Sequence, residues 1–244
     1  MLALILSYVI QALLIIHVIK TGRNQLWIWV LIILPFGIGA IVYFAVEILP
    51  ELGRSRTARR TARGFKKAMD PTADLRRYEN ETRIAGNVAS RQRYAEELVR
   101  HGRFDDAITQ YREALTGLYE HDPNLMLGLA QAQFGKGDAA AARATLDGLI
   151  AQNPQFRSPA GHLLYARALA AEGNTAKALE EYAVLAPAYP GAEAAVRYAQ
   201  LLQSEGRRAE AQKVVRELLE QARIAPGHYR RAQREWLEAA RRLQ

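Results

Sequence analysis

The sequence predicts an all-α protein in two parts, a two-helix transmembrane hairpin followed by an α-solenoid of about four helical repeats and a capping helix. Residues 2–19 and 26–46 are apolar and carry no formal charge. Further along, glycines recur at spacings of 35, 36 and 33 residues between Gly102 and Gly206. The chain beyond residue 50 is also rich in Ala, Leu, Arg, Glu and Gln, which favour helices. The mean hydropathy of −0.17 averages these two unlike parts.

The hairpin is predicted over residues 1–50. Its two apolar segments contain 18 and 21 residues, so each helix would span roughly 27–32 Å, about one hydrocarbon core. Residues 20–25 form a short polar turn between them. A secretory signal peptide is the alternative, but it would need a basic start, a shorter apolar core and a small-residue cleavage site. The chain begins Met1-Leu2-Ala3 and a second apolar segment follows at once.

The orientation of the hairpin follows from charge. Residues 51–80 hold nine Lys/Arg against four Asp/Glu, so much of the net charge of +8 lies beside the apolar region. The positive-inside rule places this stretch in the cytoplasm, together with both termini. We expect its first seven basic side chains to lie near anionic lipid. They are Arg54, Arg56, Arg59, Arg60, Arg63, Lys66 and Lys67.

Residues 51–86 are therefore predicted to be a basic juxtamembrane linker that ends in a short helix at about 71–84. Asp70-Pro71 supplies the expected helix start. Nucleic-acid binding is disfavoured, because Phe65 is the single aromatic residue among the basic residues and no nucleic-acid-binding fold is indicated.

The hairpin also resembles the N-terminal membrane segment of bacterial cardiolipin synthases, the phospholipase D/nuclease N-terminal family. The matching pattern is an apolar run ending in His17, then Thr21-Gly22-Arg23, Trp27, Trp29, Leu34-Pro35-Phe36-Gly37 and Tyr43. This resemblance implies a bacterial inner-membrane protein that crosses the membrane twice. The enzyme's His-x-Lys-x4-Asp motif is absent, since none of the five histidines has a lysine two residues later. We therefore predict no catalytic residue, cofactor, metal or small-molecule substrate.

The repeats are predicted over residues 87–226. Gly102, Gly137, Gly173 and Gly206 would each join two short helices. Alanine stands seven residues before and five residues after every one of these glycines, which lets the two helices cross closely. Larger residues at helical spacing would fill the gap to the next repeat. Pro154 and Pro190 would end second helices, and the connectors after repeats one and four are expected to be longer.

This pattern resembles the tetratricopeptide repeat (TPR), and "RYAEELVRHGRFDDAITQYREAL" matches it well. The resemblance implies that a helix over residues 227–244 caps the stack, with Trp236 and Leu237 on its packed side. It also implies that the first helix of each repeat lines a concave, partner-binding face. On the family pattern the groove residues are Gln92, Glu96, Asn124, Leu127, Gln131, Leu163, Arg167, Arg197 and Gln200.

The predicted function is a scaffold or adaptor that binds other proteins at the cytoplasmic face of a bacterial inner membrane. The alternative is a non-catalytic regulatory or assembly subunit of an enzyme of phospholipid synthesis or envelope biogenesis. An enzyme of phospholipid transfer is disfavoured because the His-x-Lys pair is missing. The partner protein, the pathway and the oligomeric state do not follow from the sequence.

Overall fold

The computed structural model describes residues 15–16, 18–20, 70 and 72–244. The chain divides into two units, Met1–Ala73 and Asp74–Gln244, and the second unit carries the repeats. Residues 73–244 form eleven α-helices, with no β-strand between them, and these are numbered α1 to α11 in chain order. They are Ala73–Ala85, Val88–Arg100, Phe104–Ala114, Pro123–Lys136, Ala139–Gln152, Pro159–Ala171, Thr175–Ala188, Glu193–Ser204, Arg208–Ile224, Gly227–Ala232 and Arg234–Arg242.

The helices from α2 to α9 form four antiparallel pairs, as the glycine period predicts. Each pair turns at one of the four glycines, which adopt φ values of 71°, 96°, 78° and 77° from Gly102 to Gly206. This left-handed backbone region is open to glycine at little cost and strains other residues. The turn role predicted for these glycines is confirmed, and the fold is an all-α solenoid of the TPR type.

The core lies along the line where paired helices cross. The alanines that precede and follow each turn glycine are between 0% and 3% exposed, so adjacent backbones approach closely. Larger side chains beside them, among them Tyr111, Leu146, Tyr182 and Val215, are at most 2% exposed. Helix α1 extends this core, because Leu75 packs in the same cluster as Tyr94 and Leu98 of α2.

Side-chain caps define where several of the first helices begin. Asn87 accepts a hydrogen bond from the Ser90 amide at 2.9 Å, and Asp122 accepts from the Leu125 amide at 3.0 Å. Ser158 accepts from the Gly161 amide at 3.0 Å. Each cap satisfies an amide that has no partner within its own helix and fixes the residue at which that helix starts.

Two details differ from the prediction. The connector after repeat one is long and contains a 3₁₀ turn at Gly117–Tyr119, as expected, but the one after repeat four is short. There α9 continues for 17 residues to Ile224 instead. The cap is two helices rather than one, because the chain breaks at Gln233. The Gln233 Oε1 accepts a hydrogen bond from the Ala192 amide at 3.0 Å, which ties this break to the start of α8.

The predicted membrane hairpin and most of the basic linker lie outside the described residues. Within the described part of the chain, no helix is both long and apolar enough to cross a membrane.

Candidate partner-binding groove

The inner face of the stack is lined by the first helix of each repeat. Helix α2 contacts α4, and α4 contacts α6, although each of these pairs is separated by an intervening helix. Helices of a curved stack come closest on its concave side, so α2, α4, α6 and α8 define the groove. The cap helix α11 packs against both α8 and α9 and closes the C-terminal end of the stack.

Five side chains form a continuous row across the C-terminal half of this groove, which we name the arginine ladder: Phe134, Arg167, Glu193, Arg197 and Trp236. The Arg167 guanidinium carbon lies 4.7 Å from the centre of the Phe134 ring. The Arg167 Nη1 is 3.9 Å from the Glu193 Oε1, and the Arg197 Nε donates to the same oxygen at 2.7 Å. The Arg197 guanidinium carbon then lies 5.0 Å from the Trp236 ring centre.

The ladder joins four structural elements that are distant in sequence. Phe134 belongs to α4, Arg167 to α6, Glu193 and Arg197 to α8, and Trp236 to α11. Glu193 and Arg197 are four residues apart, so they share one face of α8. The other neighbours meet because successive repeats stack. The ladder is therefore a product of the repeat geometry rather than of any one helix.

Arg167 is the incompletely satisfied member of the ladder. Burial, and then the neighbouring Arg197, lower the pKa of its guanidinium, which remains protonated at neutral pH. Its Nε atom is buried and has no hydrogen-bond partner among the described residues. The ladder contains two cations and one carboxylate, so it keeps a positive charge beside two aromatic rings. An incoming carboxylate would find both a cation and an apolar surface at this point of the groove.

The structure places most of the predicted groove residues on exposed or half-buried positions of the first helices. Gln92 donates to Glu96 at 3.0 Å, so these two side chains already pair with each other. Asn124, Gln131 and Gln200 are exposed.

Leu127 and Leu163 turn more toward the core than the prediction assumed. Leu127 is half-buried and packs against a small cluster that includes Leu146 and Leu164. Leu163 is 4% exposed and packs with Ala166, Tyr182 and other apolar residues. It is a core residue and offers no surface to a partner.

Sequence reasoning did not assign three ladder residues, Phe134, Glu193 and Trp236, to the groove, and it placed Trp236 only on the packed side of the cap. Glu193 and Arg197 are four residues apart, which is the spacing of an ion pair on one helix face, and this spacing could have identified Glu193 as the partner of Arg197. Nothing in the sequence places Phe134 beside Arg167 or Trp236 beside Arg197, because those contacts depend on how the repeats stack. The seven basic residues predicted to lie near lipid, Arg54 to Lys67, are outside the described residues. Among the residues that are described, no group of His, Asp and Glu side chains could hold a metal ion.

Comparison with known proteins agrees with this architecture. The sequence model of a tetratricopeptide repeat family matches residues 98–164. The crystal structure of MamA is similar, with a TM-score of 0.54 and 21% identity, over 65% of this chain and 93% of that one. A thermophilic TPR protein from Thermus thermophilus gives a TM-score of 0.53 at 19% identity, over 74% of this chain and 95% of that one. At these identities the likeness concerns the fold. No curated protein is similar enough in sequence to count as a match.

Proposed function

We propose that this protein is an adaptor that binds a segment of another protein in the groove formed by α2, α4, α6 and α8. Residues 1–50 would hold the stack at the cytoplasmic face of a bacterial inner membrane. The anchoring part of the proposal rests on the two uncharged apolar segments and on the basic residues that follow them.

The observation that supports a binding role is the arginine ladder. Burying part of a guanidinium without satisfying all its hydrogen bonds destabilises the folded protein. Such a group is not expected on a surface that contacts only solvent. Arg167 combines such a guanidinium with an unbalanced charge and a flanking aromatic ring. A partner segment with an Asp or Glu side chain, or a terminal carboxylate, would satisfy it. Neighbouring apolar groups of that segment would contact Phe134 and Trp236.

Site-specific photocrosslinking in cells tests the groove. A photoreactive amino acid replaces Gln131 or Gln200, which are exposed on first helices, or Lys177 or Lys213, which are exposed on second helices. We expect one protein to crosslink to both groove positions and to neither control. Adding Arg167→Met should weaken that crosslink. A protein that crosslinks equally at all four positions, or no crosslink at Gln131 and Gln200, would refute groove binding.

Topology reporters test the anchor separately. A reporter active only in the cytoplasm and another active only outside the membrane are fused after Gln244. We expect activity from the cytoplasmic reporter and retention of the protein in membranes after alkaline carbonate extraction. Release by carbonate would refute the anchor, and activity from the external reporter would refute the orientation. Neither outcome bears on the groove.

A further inference from the structure

A second feature lies at the C-terminal end of the stack, in a cleft between α9, α10 and α11. The cleft has a volume of about 410 Å³. Its apolar floor includes Leu219 and the buried Leu237, and four arginines, Arg223, Arg230, Arg234 and Arg241, line its sides. None of these residues belongs to the arginine ladder, so this cleft and the groove are separate sites.

Three of the four arginines form no close ion pair with a described carboxylate. Arg234 donates to Glu238 at 2.8 Å. Arg223, Arg230 and Arg241 form no ion pair with any carboxylate of residues 72–244. Glu220 borders the neighbouring depression together with Arg223, yet the two do not pair. Glu238 feels the charge of Arg241 as well as that of Arg234, but four arginines outnumber this one carboxylate, so the cleft keeps a net positive charge.

The backbone arranges these arginines to converge. Arg223 lies in the last turn of α9, Arg230 in α10 and Arg241 in α11. Arg230 Nη1 donates to the backbone carbonyl of Arg223 at 3.1 Å, which holds its guanidinium at the C-terminal end of α9. The break at Gln233 directs α11 back along α9. Three like charges from three helices at one cleft repel one another, and a multivalent anion would relieve that repulsion.

We propose that this cleft binds a phosphate group attached to a small apolar body, through Arg223, Arg230 and Arg241. A carboxylate is matched by one guanidinium, whereas a phosphate monoester offers three acceptor oxygens and up to two negative charges. The apolar floor adds a surface for carbon atoms next to the phosphate. The same chemistry could be supplied by a free phosphate compound or by the headgroup of an anionic lipid.

Calorimetric titration of the purified full chain in an uncharged detergent tests this site. The probes are inorganic phosphate and monomeric dihexanoyl phosphatidic acid. The cleft variant carries Arg223→Gln, Arg230→Gln and Arg241→Gln. The control carries Arg112→Gln, Arg208→Gln and Arg231→Gln, which removes the same charge from exposed arginines that do not line the cleft. Circular dichroism verifies that both variants keep their helices.

We expect the cleft variant to bind phosphatidic acid about a hundredfold more weakly. Each exposed charge-assisted contact contributes about fivefold to the affinity, and the variant removes three of them. The control should stay within about threefold of the unmodified chain, because its three arginines are exposed, do not line the cleft and are screened by salt. Tighter binding of phosphatidic acid than of phosphate supports the site and identifies a lipid headgroup as the source. Equal binding of the two probes, lost in the cleft variant, would mean that the apolar floor contributes nothing and would refute the apolar body that the proposal requires. Equal losses in both variants, or no binding of either probe by the unmodified chain, would overturn the proposal.

Discussion

At Gly128, α4 lies directly against the Tyr111 ring of the preceding helix α3, and replacement of this glycine by alanine gives a quantitative test of the packing. A Cβ atom at this position would lie 2.4 Å from Cζ and 2.5 Å from Cε1 of Tyr111. Ordinary contacts of this kind are 3.4–4 Å, so the ring would have to move by about 1 Å. Tyr111 is 2% exposed and lies in the core cluster of repeat one, which leaves it little room.

The expected cost follows from two opposing terms. Overpacking of a filled core destabilises by about 1–3 kcal/mol, and the displacement required here favours the upper part of that range. Alanine in place of glycine within a helix stabilises the folded state by about 1 kcal/mol through its higher helix propensity. We therefore expect Gly128→Ala to lower the free energy of unfolding by about 2 kcal/mol, as the difference of these two terms.

Gly148→Ala is the matched control. Gly148 also lies inside a helix, but its added Cβ would meet only the flexible end of Met126, at 3.5 Å. At this position the helix-propensity term acts alone, and the variant should be more stable by up to about 1 kcal/mol. In urea unfolding followed by circular dichroism, the two midpoints should shift in opposite directions, by about 1 M downward and about 0.5 M upward for a slope near 2 kcal/mol/M.

A double-mutant cycle identifies the cause. If the Tyr111 ring produces the cost, Gly128→Ala should be far less harmful when Tyr111→Leu is already present. A Gly128→Ala variant as stable as Gly148→Ala would refute the close approach of α4 to Tyr111. An unchanged cost in the Tyr111→Leu background would refute the assignment of the clash to that ring.

Three further predictions concern the core and the ladder. Ala166→Leu, at a helix crossing that is 0% exposed, should lower stability by about 2–3 kcal/mol in thermal unfolding, whereas Ala171→Leu on the exposed end of the same helix should change it by less than about 0.5 kcal/mol. Burial raises the pKa of Tyr182 from 10.0 to about 12. As the pH rises, the unfolded chain therefore loses the Tyr182 proton before the folded chain does. The free energy of unfolding, which is unaffected by this group below pH 10, should then fall by up to about 2.5 kcal/mol between pH 10 and pH 12. Tyr182→Phe should remove that part of the alkaline loss, and an unchanged pH profile of urea midpoints would contradict it. Arg167→Met should leave the urea midpoint unchanged or raise it slightly while weakening the groove crosslink, since an apolar side chain removes the unsatisfied Nε; a large loss of stability would mean that Arg167 is a structural residue.

The repeat architecture could be predicted because it depends on local rules. A turn with positive φ selects glycine, and a close helix crossing selects alanine. Both requirements recur at nearly constant spacing, so the same glycine and alanine pattern appears four times in this sequence. The paired helices and their buried alanines were therefore accessible from the sequence.

Which helix positions face the groove was harder to predict from the sequence, because each repeat is rotated slightly relative to the one before it and these rotations accumulate along the stack. The predicted column that contains Gln92, Leu127 and Leu163 shows this. Gln92 and Leu127 are half-buried, Leu163 is 4% exposed, and Val196 at the equivalent position of repeat four is 0% exposed. The same position thus changes from half-buried to fully buried along the stack, and the apolar residues that follow Gln92 in the column were the available signal.

The cap could not be predicted in detail because its break is set by a distant contact. Gln233 hydrogen bonds to Ala192, 41 residues earlier in the chain. Its own neighbours favour a continuous helix over residues 228–243. Only the position of α8 makes the interruption favourable, since the amide at its start would otherwise lack a partner.

The contact between Trp236 and Arg197 has a consequence for how long the groove persists. In a stack whose units contact mainly their neighbours, opening begins at the ends. The ladder ends on α11, which packs at one end of the stack against α8 and α9, so each opening of this helix removes one wall of the site and frees Arg197 from the Trp236 ring. The lifetime of the binding-competent groove is thus limited by the opening of α11 rather than by that of the central repeats. A ligand that contacts both Phe134 and Trp236 would stabilise α11 against opening. It would therefore slow amide hydrogen exchange in α11, although most of the ligand's contacts would lie on other helices.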